Sequence, residues 1–415
     1  MNHDPHALSS VTLQELDSLD PLRHHADEFL PDSGVYLDGN SLGRLPKRAQ
    51  QRIREVIDVE WGQGLIGSWL VHDWINLPSR VGGRISRLIG AAADEVVVGN
   101  STSVNLFNVA ASALLLTERR RIVTDAANFP TDLYVLEGLN RLLGPQLEVV
   151  RVPASQIMAT IDAKTALVLL SHVDYRTSAL LDMGGITAAA QRAGAFMLWD
   201  LSHSAGTLPV TLNDHNVDLA VGCTYKYLNG GPGSPAFTFV ARRWHERISP
   251  VLSGWLGHKA PFDFSPHYAP ASGVKRMLAG TPEVLALSAL EASVSLFDEV
   301  SLADLRAKSI KLSETFIAEL ERRCAPYGFQ VVSPRNPLER GSHISVAHEH
   351  GYAIMQALID RRIIGDFRTP NLMRFGFAPL YQRFRDIAAC VDTLEEIMRT
   401  RAWDQERFRS RAAVT

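Results

Sequence analysis

Between about residues 95 and 240 the chain alternates short apolar or β-branched runs with longer stretches of helical periodicity. The runs 95–98, 121–124, 147–152, 166–171, 195–199, 219–222 and 237–240 have the length and composition of strands. Their apolar positions are continuous instead of alternating, which predicts strands covered on both faces, and so a largely parallel sheet layered between helices. In such an α/β architecture ligands gather beyond the carboxyl ends of the strands. Asn100, Ser171 and Asp200 all fall at those ends. The pattern then changes. A long helical stretch over 284–324 leads into strand-like runs at 343–347, 363–367 and 372–377, and an amphipathic helix begins near Arg383. The expected organisation is an N-terminal segment, 1–60, that contributes to a small domain, then a large domain, 61–290, and a smaller α+β C-terminal domain, 291–415.

Composition narrows the class without naming a function. A chain of 415 residues with 46% hydrophobic and 21% charged residues is an ordinary globular protein. A net charge of −3 leaves no electrostatic footprint for nucleic acid or an anionic membrane. Cys223, Cys324 and Cys390 are scattered, with no C-x-x-C pair, which fits a reducing compartment. The start, Met1 to His6, lacks the basic and apolar stretches of a signal peptide, and the longest apolar run, 109–116, is too short to span a bilayer. A cytoplasmic protein is therefore expected. The arginine-rich stretch 399–411 also carries Asp404 and Glu406 and reads as a solvated helix face.

The chemistry concentrates in two short segments. Asp200-Leu-Ser-His203 ends an apolar run, and Lys226 follows 26 residues after Asp200 in Thr224-Tyr225-Lys226-Tyr227-Leu-Asn-Gly-Gly231. Pyridoxal phosphate chemistry needs both groups, an amine to hold the cofactor as a Schiff base and a carboxylate to keep the pyridine nitrogen protonated. Either residue alone reads as a strand-terminal acid or a surface lysine; together they point to the cofactor. Asn100-Ser101-Thr102-Ser103, between a strand and a helix starting near Val104, serves as an ordinary cap or, beside such a lysine, as a phosphate site. Asn128-Phe129-Pro130-Thr131-Asp132 offers an aromatic face and a carboxylate, and equally a plain turn and helix start. Arg374, in an apolar strand pattern, needs a partner: a substrate carboxylate or an internal acid such as Asp366. Cys223 reads as packing behind the cofactor. The pairs His24-His25 and His348-Glu-His350 lack further ligands, so no metal is expected.

With these residues in view the chain resembles the kynureninases, fold-type I pyridoxal phosphate enzymes related to the aspartate aminotransferase fold. The resemblance covers nearly the whole chain and is most specific at Tyr36-Leu-Asp-Gly-Asn-Ser-Leu-Gly43, Asp200-x-x-His203, Thr224 to Asn229, Gly254-Trp-Leu-Gly-His258, Phe129 to Asp132 and Arg374 to Tyr381. Related cysteine desulfurases and selenocysteine lyases carry a different sequence at the Gly-Asn-Ser-Leu-Gly position. The resemblance implies a PLP-dependent hydrolase acting on a carbon–carbon bond of a ketone, cleaving L-kynurenine to anthranilate and L-alanine in tryptophan catabolism and NAD biosynthesis. It implies Lys226 as the Schiff-base lysine, Asp200 at the pyridine nitrogen with His203 beside it, and Tyr225 as a proton relay. Thr102, Ser103, Tyr225, Trp255 and Thr281 would serve the phosphate, the last two from the partner subunit of a homodimer with its active sites at the interface. Phe129 would stack on the ring within the Phe129-Pro130-Thr131-Asp132 segment, Asp132 and Ser171 would support its substituents, and Arg374, Asn40 and Ser41 would bind substrate. Trp69 and Thr281 stand where kynureninases of 3-hydroxykynurenine tend to have His and Asn, which favours unsubstituted L-kynurenine. The alternatives are a cysteine desulfurase or selenocysteine lyase-like enzyme on the same scaffold, and a non-catalytic ligand-binding protein that kept it.

Overall fold

The computed structural model describes residues 13–31, 34–144 and 147–410. The Met1 to His6 start and Arg411 lie outside them. The chain forms two compact units, one of 1–44, 176–178 and 300–415 and the other of 45–175 and 179–299. The dividing points fall at 44 and 299, against the expected 60 and 290, and the short return at 176–178 has no sequence signal.

In the small unit a short helix, Leu13–Leu19, and a 3-10 turn, Arg23–Glu28, precede strand β1 (Val35–Tyr36). The large unit then supplies β2 (Val96–Val98), β3 (Arg121–Asp125), β4 (Glu148–Val152), β5 (Thr165–Ser171), β6 (Phe196–Asp200), β7 (Leu219–Gly222) and β8 (Phe237–Val240). They form one sheet in the order β2-β8-β7-β6-β5-β3-β4, in which β8 alone runs antiparallel to its neighbours. All the others therefore share one carboxyl edge. The continuous apolar runs explain the layering: Leu167, Leu169, Leu198, Leu219 and Val221 pack with Leu106, Val109, Ala113, Leu136 and Leu139 of covering helices in one buried cluster. Glu95 is not in the strand, contrary to expectation. It ends a 3-10 turn, Ala93–Glu95, where its carboxylate accepts from the Ala92 and Arg242 amides.

Two helices rise from this edge. Thr102–Leu114 starts two residues before the expected Val104 and is capped by Ser101, which accepts from the Val104 amide at 3.4 Å. Pro130–Leu142 starts with proline at its first position, where the missing N–H is no loss.

The expected helix over 284–324 breaks in two. Val284–Val294 ends in a 3-10 turn, Ser295–Glu299, and Leu302–Cys324 restarts after Ser301 caps the Ala303 amide. In the small unit β9 (Gln330–Val331), β10 (His343–Ala347), β12 (Asp366–Arg368) and β13 (Leu372–Gly376) form an antiparallel sheet ordered β12-β13-β10-β9. The run 363–367 is split: β11 (Ile363–Ile364) pairs with β1 instead. Gly365 divides them, pressed so close to the Arg374 carbonyl that a Cβ there would sit 2.8 Å from it. Phe316, Phe375, Phe377, Ile387 and Leu394 centre this unit's core. The final helix, Phe384–Thr400, is as expected, and Asp17 accepts from its Phe384 and Arg385 amides. No helix among the described residues is long and apolar enough to cross a membrane.

Candidate active site

Parallel register builds the centre of the large unit's site. Ser171, last in β5, pairs with Asp200, last in β6, so a hydroxyl and a carboxyl leave the sheet edge side by side. Asp200 is buried and accepts from the Ser202 amide at 2.7 Å. Burial pushes its pKa up, and the Ser202 hydrogen bonds and the Lys226 charge pull against that. Lys226 leaves a tight turn beyond β7, closed by Asn229 N–H to the Lys226 carbonyl and Gly230 N–H to the Thr224 carbonyl, both 2.9 Å. Asn229 takes the left-handed φ of +57° that this turn requires and that asparagine tolerates. The Lys226 Nζ lies 3.2 Å from Nε2 of buried His203. Beside it the Tyr225 phenol is pushed up, first by the Cys223 thiol and then by burial, so it keeps its proton.

The β3-to-helix connection supplies the other wall. Asp132, third in its helix, is buried, and its carboxyl is held well above the ordinary range by burial and the Asp200 charge. Ser171 Oγ is 3.5 Å from it. The Phe129 ring, part exposed, has the Lys226 Nζ 5.8 Å from its centroid and meets Tyr175 edge-on at 5.2 Å. Pro130 and Thr131 are the two half-buried residues that open the helix. Half-buried Thr102 and exposed Ser103 stand at the first turn of their helix on the same sheet edge. Asn100, at φ +58°, turns the chain into it.

A second cluster belongs to the small unit. Arg374 is buried and grips Asp366 with both arms, Nε to Oδ1 at 2.6 Å and Nη2 to Oδ2. The internal ion pair is thus what the structure holds. Ser41 donates to Asp366 at 2.7 Å, Arg368 adds a contact at 2.8 Å, and Arg374 reaches Ser41 Oγ at 3.2 Å. Hydrogen bonding and the arginine charges hold Asp366 below the usual carboxylate range despite burial. Nearby Asp38 goes the other way, pushed up to about 7 by burial and by the Asp366 charge. Asn40 is fully buried, and among the described residues neither polar atom of its side chain has a hydrogen-bond partner. Its amide packs so tightly on Gly376 that any Cβ there would collide with Asn40 Oδ1. This contact binds the Asn40-Ser41 segment to β13.

Trp69 and Trp255 form a third group, in the large unit. Trp69 packs at 6.1 Å from Trp74 and 6.2 Å from Trp255, which meets Phe262 at 5.9 Å. Exposed Thr281 lies on the 279–283 turn, where the Ala279 carbonyl accepts from the Leu256 amide at 3.1 Å and Glu283 accepts from the Asn100 amide at 3.2 Å. Asp38 and Asn128 lie within motifs legible in the sequence, but no local pattern gave either a role. Asn128 is a buried asparagine between a strand end and a helix start, a placement that signals side-chain bonding to local backbone. Among the described residues no group of three or more His, Cys, Asp or Glu side chains could hold a metal ion. His348 instead bonds the Tyr327 carbonyl at 3.0 Å, and His24 stacks on His25.

The large-unit donor set fits pyridoxal phosphate. Asp200, costly to keep charged in its buried position, gains most from a cationic N–H such as a pyridinium. Lys226 supplies a primary amine beside it, Phe129 a ring face, and the Thr102–Leu114 helix a positive end for phosphate.

Comparison with known proteins agrees. The family model of the kynureninase C-terminal domain matches residues 305–394. A kynureninase of Burkholderia mallei is 46% identical over 408 residues, covering 96% of this chain and 98% of its own. One of Deinococcus radiodurans is 48% identical over 402 residues, covering 94% and 98%. Among solved structures, a cysteine desulfurase from Thermococcus onnurineus NA1 has a TM-score of 0.75 at 19% identity, covering 94% of this chain and 99% of its own. A C-DES mutant with glycine covalently linked to its PLP cofactor has a TM-score of 0.77 at 17% identity, covering 88% and 100%. Identities this low carry likeness of fold and nothing finer.

Proposed function

This chain belongs to the kynureninase family, and from that premise we propose that it hydrolyses L-kynurenine to anthranilate and L-alanine, with 3-hydroxy-L-kynurenine a poorer substrate. The fold is that of the fold-type I PLP enzymes, and pyridoxal 5'-phosphate is the cofactor. The observation that carries the reading is the Lys226–His203 contact with the Asp200 and Asp132 carboxyls buried around it, in a chain nearly half identical to curated kynureninases over almost its whole length.

When bound, the cofactor supplies an electron sink for bonds broken at the substrate carbon it holds. Asp200 would hold the ring nitrogen's proton and give the sink its charge. Lys226 would anchor the cofactor and, once displaced by the substrate amine, take the α-proton, with His203 in hydrogen-bonding reach of its Nζ. Tyr225, kept protonated, would act as a donor when the Cβ–Cγ bond breaks. Water adds to the γ-carbonyl, so its oxygen leaves in the anthranilate carboxylate while the alanine methyl gains a proton. Thr102 and Ser103 would take the phosphate, Phe129 would cover one ring face, and Ser171 and Asp132 would meet the ring's polar substituents. Arg374 would bind the substrate α-carboxylate in competition with Asp366, assisted by Asn40 and Ser41.

A homodimer with active sites at the subunit interface fits the large unit's exposed aromatics: Phe262 and Phe264 are 59% and 80% exposed beside Trp255. Trp255 and Thr281 would then serve the partner's site. A cytoplasmic location fits the buried free cysteines.

The same cysteines speak against a desulfurase, which needs an accessible thiolate. Cys324 and Cys390 are buried, and burial pushes Cys324 up to about 11 and Cys390 further. A non-catalytic protein would have no use for the complete Lys226, Asp200, His203 and Arg374 set. The deciding experiment is to supply the cofactor-loaded protein with L-kynurenine and, separately, L-cysteine. Anthranilate fluorescence from the first is expected. Sulfide from the second without anthranilate would establish the desulfurase, and binding of kynurenine without turnover the non-catalytic protein.

A further inference from the structure

Asn128 is buried between the end of β3 and the helix that starts at Pro130, and none of the roles above employs it. Its side chain nevertheless joins most of the cofactor wall. Oδ1 accepts from the Phe129 amide at 2.9 Å, the Ser171 amide at 3.2 Å and the Ser171 hydroxyl at 2.7 Å. Nδ2 donates to Thr124 Oγ1 at 3.3 Å, and Thr124 donates to the Leu169 carbonyl at 2.7 Å. Two of the groups on Oδ1 are backbone N–H, which can only donate. The orientation of the amide is therefore settled: oxygen toward Phe129 and Ser171, nitrogen toward Thr124.

A serine hydroxyl has one proton to give. Ser171 directs it at Asn128, 2.7 Å away, with Asp132 only at 3.5 Å. Burial and the Asp200 charge raise the Asp132 pKa, and hydrogen bonding from Ser171 pulls it down. We propose that Asn128 is a positioning residue of the cofactor cradle. By taking the Ser171 proton and the Phe129 amide on one oxygen, it limits how far the Ser171 proton serves Asp132 and fixes the seat of the Phe129 ring. Asn128→Ala frees the Ser171 hydroxyl to turn its proton toward Asp132 and strands the Phe129 amide. Asn128→Asp keeps the shape and the acceptor oxygen, loses the Nδ2 donor, and brings a carboxyl close to Asp132 and Asp200.

The inference rests on the cofactor reading above, and the test separates the two. Purified wild type, Asn128→Ala, Asn128→Asp, Ser171→Ala and the Asn128→Ala/Ser171→Ala double variant are titrated with pyridoxal 5'-phosphate. The visible band of each loaded protein is followed against pH, and the melting temperature is taken without cofactor. The expected result for Asn128→Ala is a shift of about one unit in the midpoint of the band's pH titration and a roughly tenfold weaker cofactor affinity. Asn128→Asp should move the midpoint upward, since added negative charge favours a protonated chromophore, and it carries the test if the alanine variant does not fold. The double variant should shift the midpoint no further than Ser171→Ala alone. A lowered melting temperature with wild-type midpoint and affinity in both Asn128 variants would make Asn128 a purely structural residue and overturn the proposal. Additive midpoint shifts in the double variant would overturn the route through Ser171. A wild-type protein that develops no visible band would overturn the cofactor reading, and this inference with it.

Discussion

Asp132 in the large unit and Asp366 in the small unit are equally buried, each 1% exposed, yet they titrate in opposite directions. Asp132 is buried facing Asp200, and although the Lys226 charge and the Ser171 hydroxyl pull against these, its carboxyl is held well above the ordinary range. Asp366 has the Arg374 fork, Arg368 and the Ser41 hydroxyl, and is held below it. Burial alone penalises both charges; the partners decide the outcome. One cluster is arranged for proton chemistry, with acids left short of cations and an amine beside them. The other is a closed ion pair that a substrate carboxylate can enter only by competing with a resident one. Mutations that separate proton chemistry from anion binding should therefore divide along the same line.

The largest effect belongs to the proton side. Lys226→Ala should abolish the visible band of the cofactor-loaded protein and cut turnover by at least about a thousandfold, because the proposed role has one group both anchor the cofactor and move the α-proton. Single-turnover assays with added cofactor check it; near-normal rates would remove Lys226 from the chemistry. On the anion side, Arg374→Ala should act mainly on KM, with a loss of roughly 2–5 kcal/mol in kcat/KM. It should also lower unfolding stability, since among the described residues Asp366 then keeps Arg368 as its one cationic contact, beside the Ser41 hydroxyl. An unchanged KM with lowered stability would reduce Arg374 to the ion pair seen in the structure.

Asp38 extends the contrast into pH. An acid whose folded-state pKa, about 7 here, lies above its unfolded value binds more protons folded than unfolded. It therefore removes stability as pH rises from about 4 to about 7. Asp366, held low, does the reverse: its contribution is present above the ordinary carboxylate value and is lost as pH falls through its folded-state pKa. Asp38→Asn should consequently raise the melting temperature at pH 8 and leave it nearly unchanged at pH 4, a difference on the order of 1–3 kcal/mol. Equal shifts at both pH values would mean that Asp38 does not titrate between them.

The proton side was far more legible in the sequence than the anion side. Continuous apolar runs located every strand of the large sheet; Asp200 stood out at a strand end, and Lys226 by its Tyr-Lys dipeptide before a glycine cluster. The Arg374 environment depends on Ser41 and Asp366, which are 325 residues apart in the chain, and no local pattern carries that information. Asp366 was visible only as one candidate partner among others. Asn128 was in view within its motif, but its hydrogen bonds to Ser171 cross 43 residues. The split of 363–367 into two sheets turns on Gly365 meeting the Arg374 carbonyl, again a tertiary contact that overrides a clean apolar run.

The smallest effect concerns the choice between substrates. On the proposed reading Trp69, held between Trp74 and Trp255, and exposed Thr281 would offer bulk and one small hydroxyl to a substrate ring. A 3-hydroxyl brought against them loses its water, and leaving it unpaired costs roughly 1–3 kcal/mol. L-kynurenine should then be preferred over 3-hydroxy-L-kynurenine by ten- to a hundredfold in kcat/KM, on the order expected for one misplaced polar group. Trp69→His with Thr281→Asn supplies a donor and an acceptor and should narrow the gap by about tenfold, leaving the visible band and the Arg374-dependent KM for L-kynurenine in place. Because Trp69 and Thr281 lie outside both the Lys226 and the Arg374 clusters, a change in the ratio without a change in either signature would mark a third, separable part of the site. Equal efficiency on the two substrates in the unmutated protein would defeat the argument, since water or another side chain would then already be satisfying the hydroxyl.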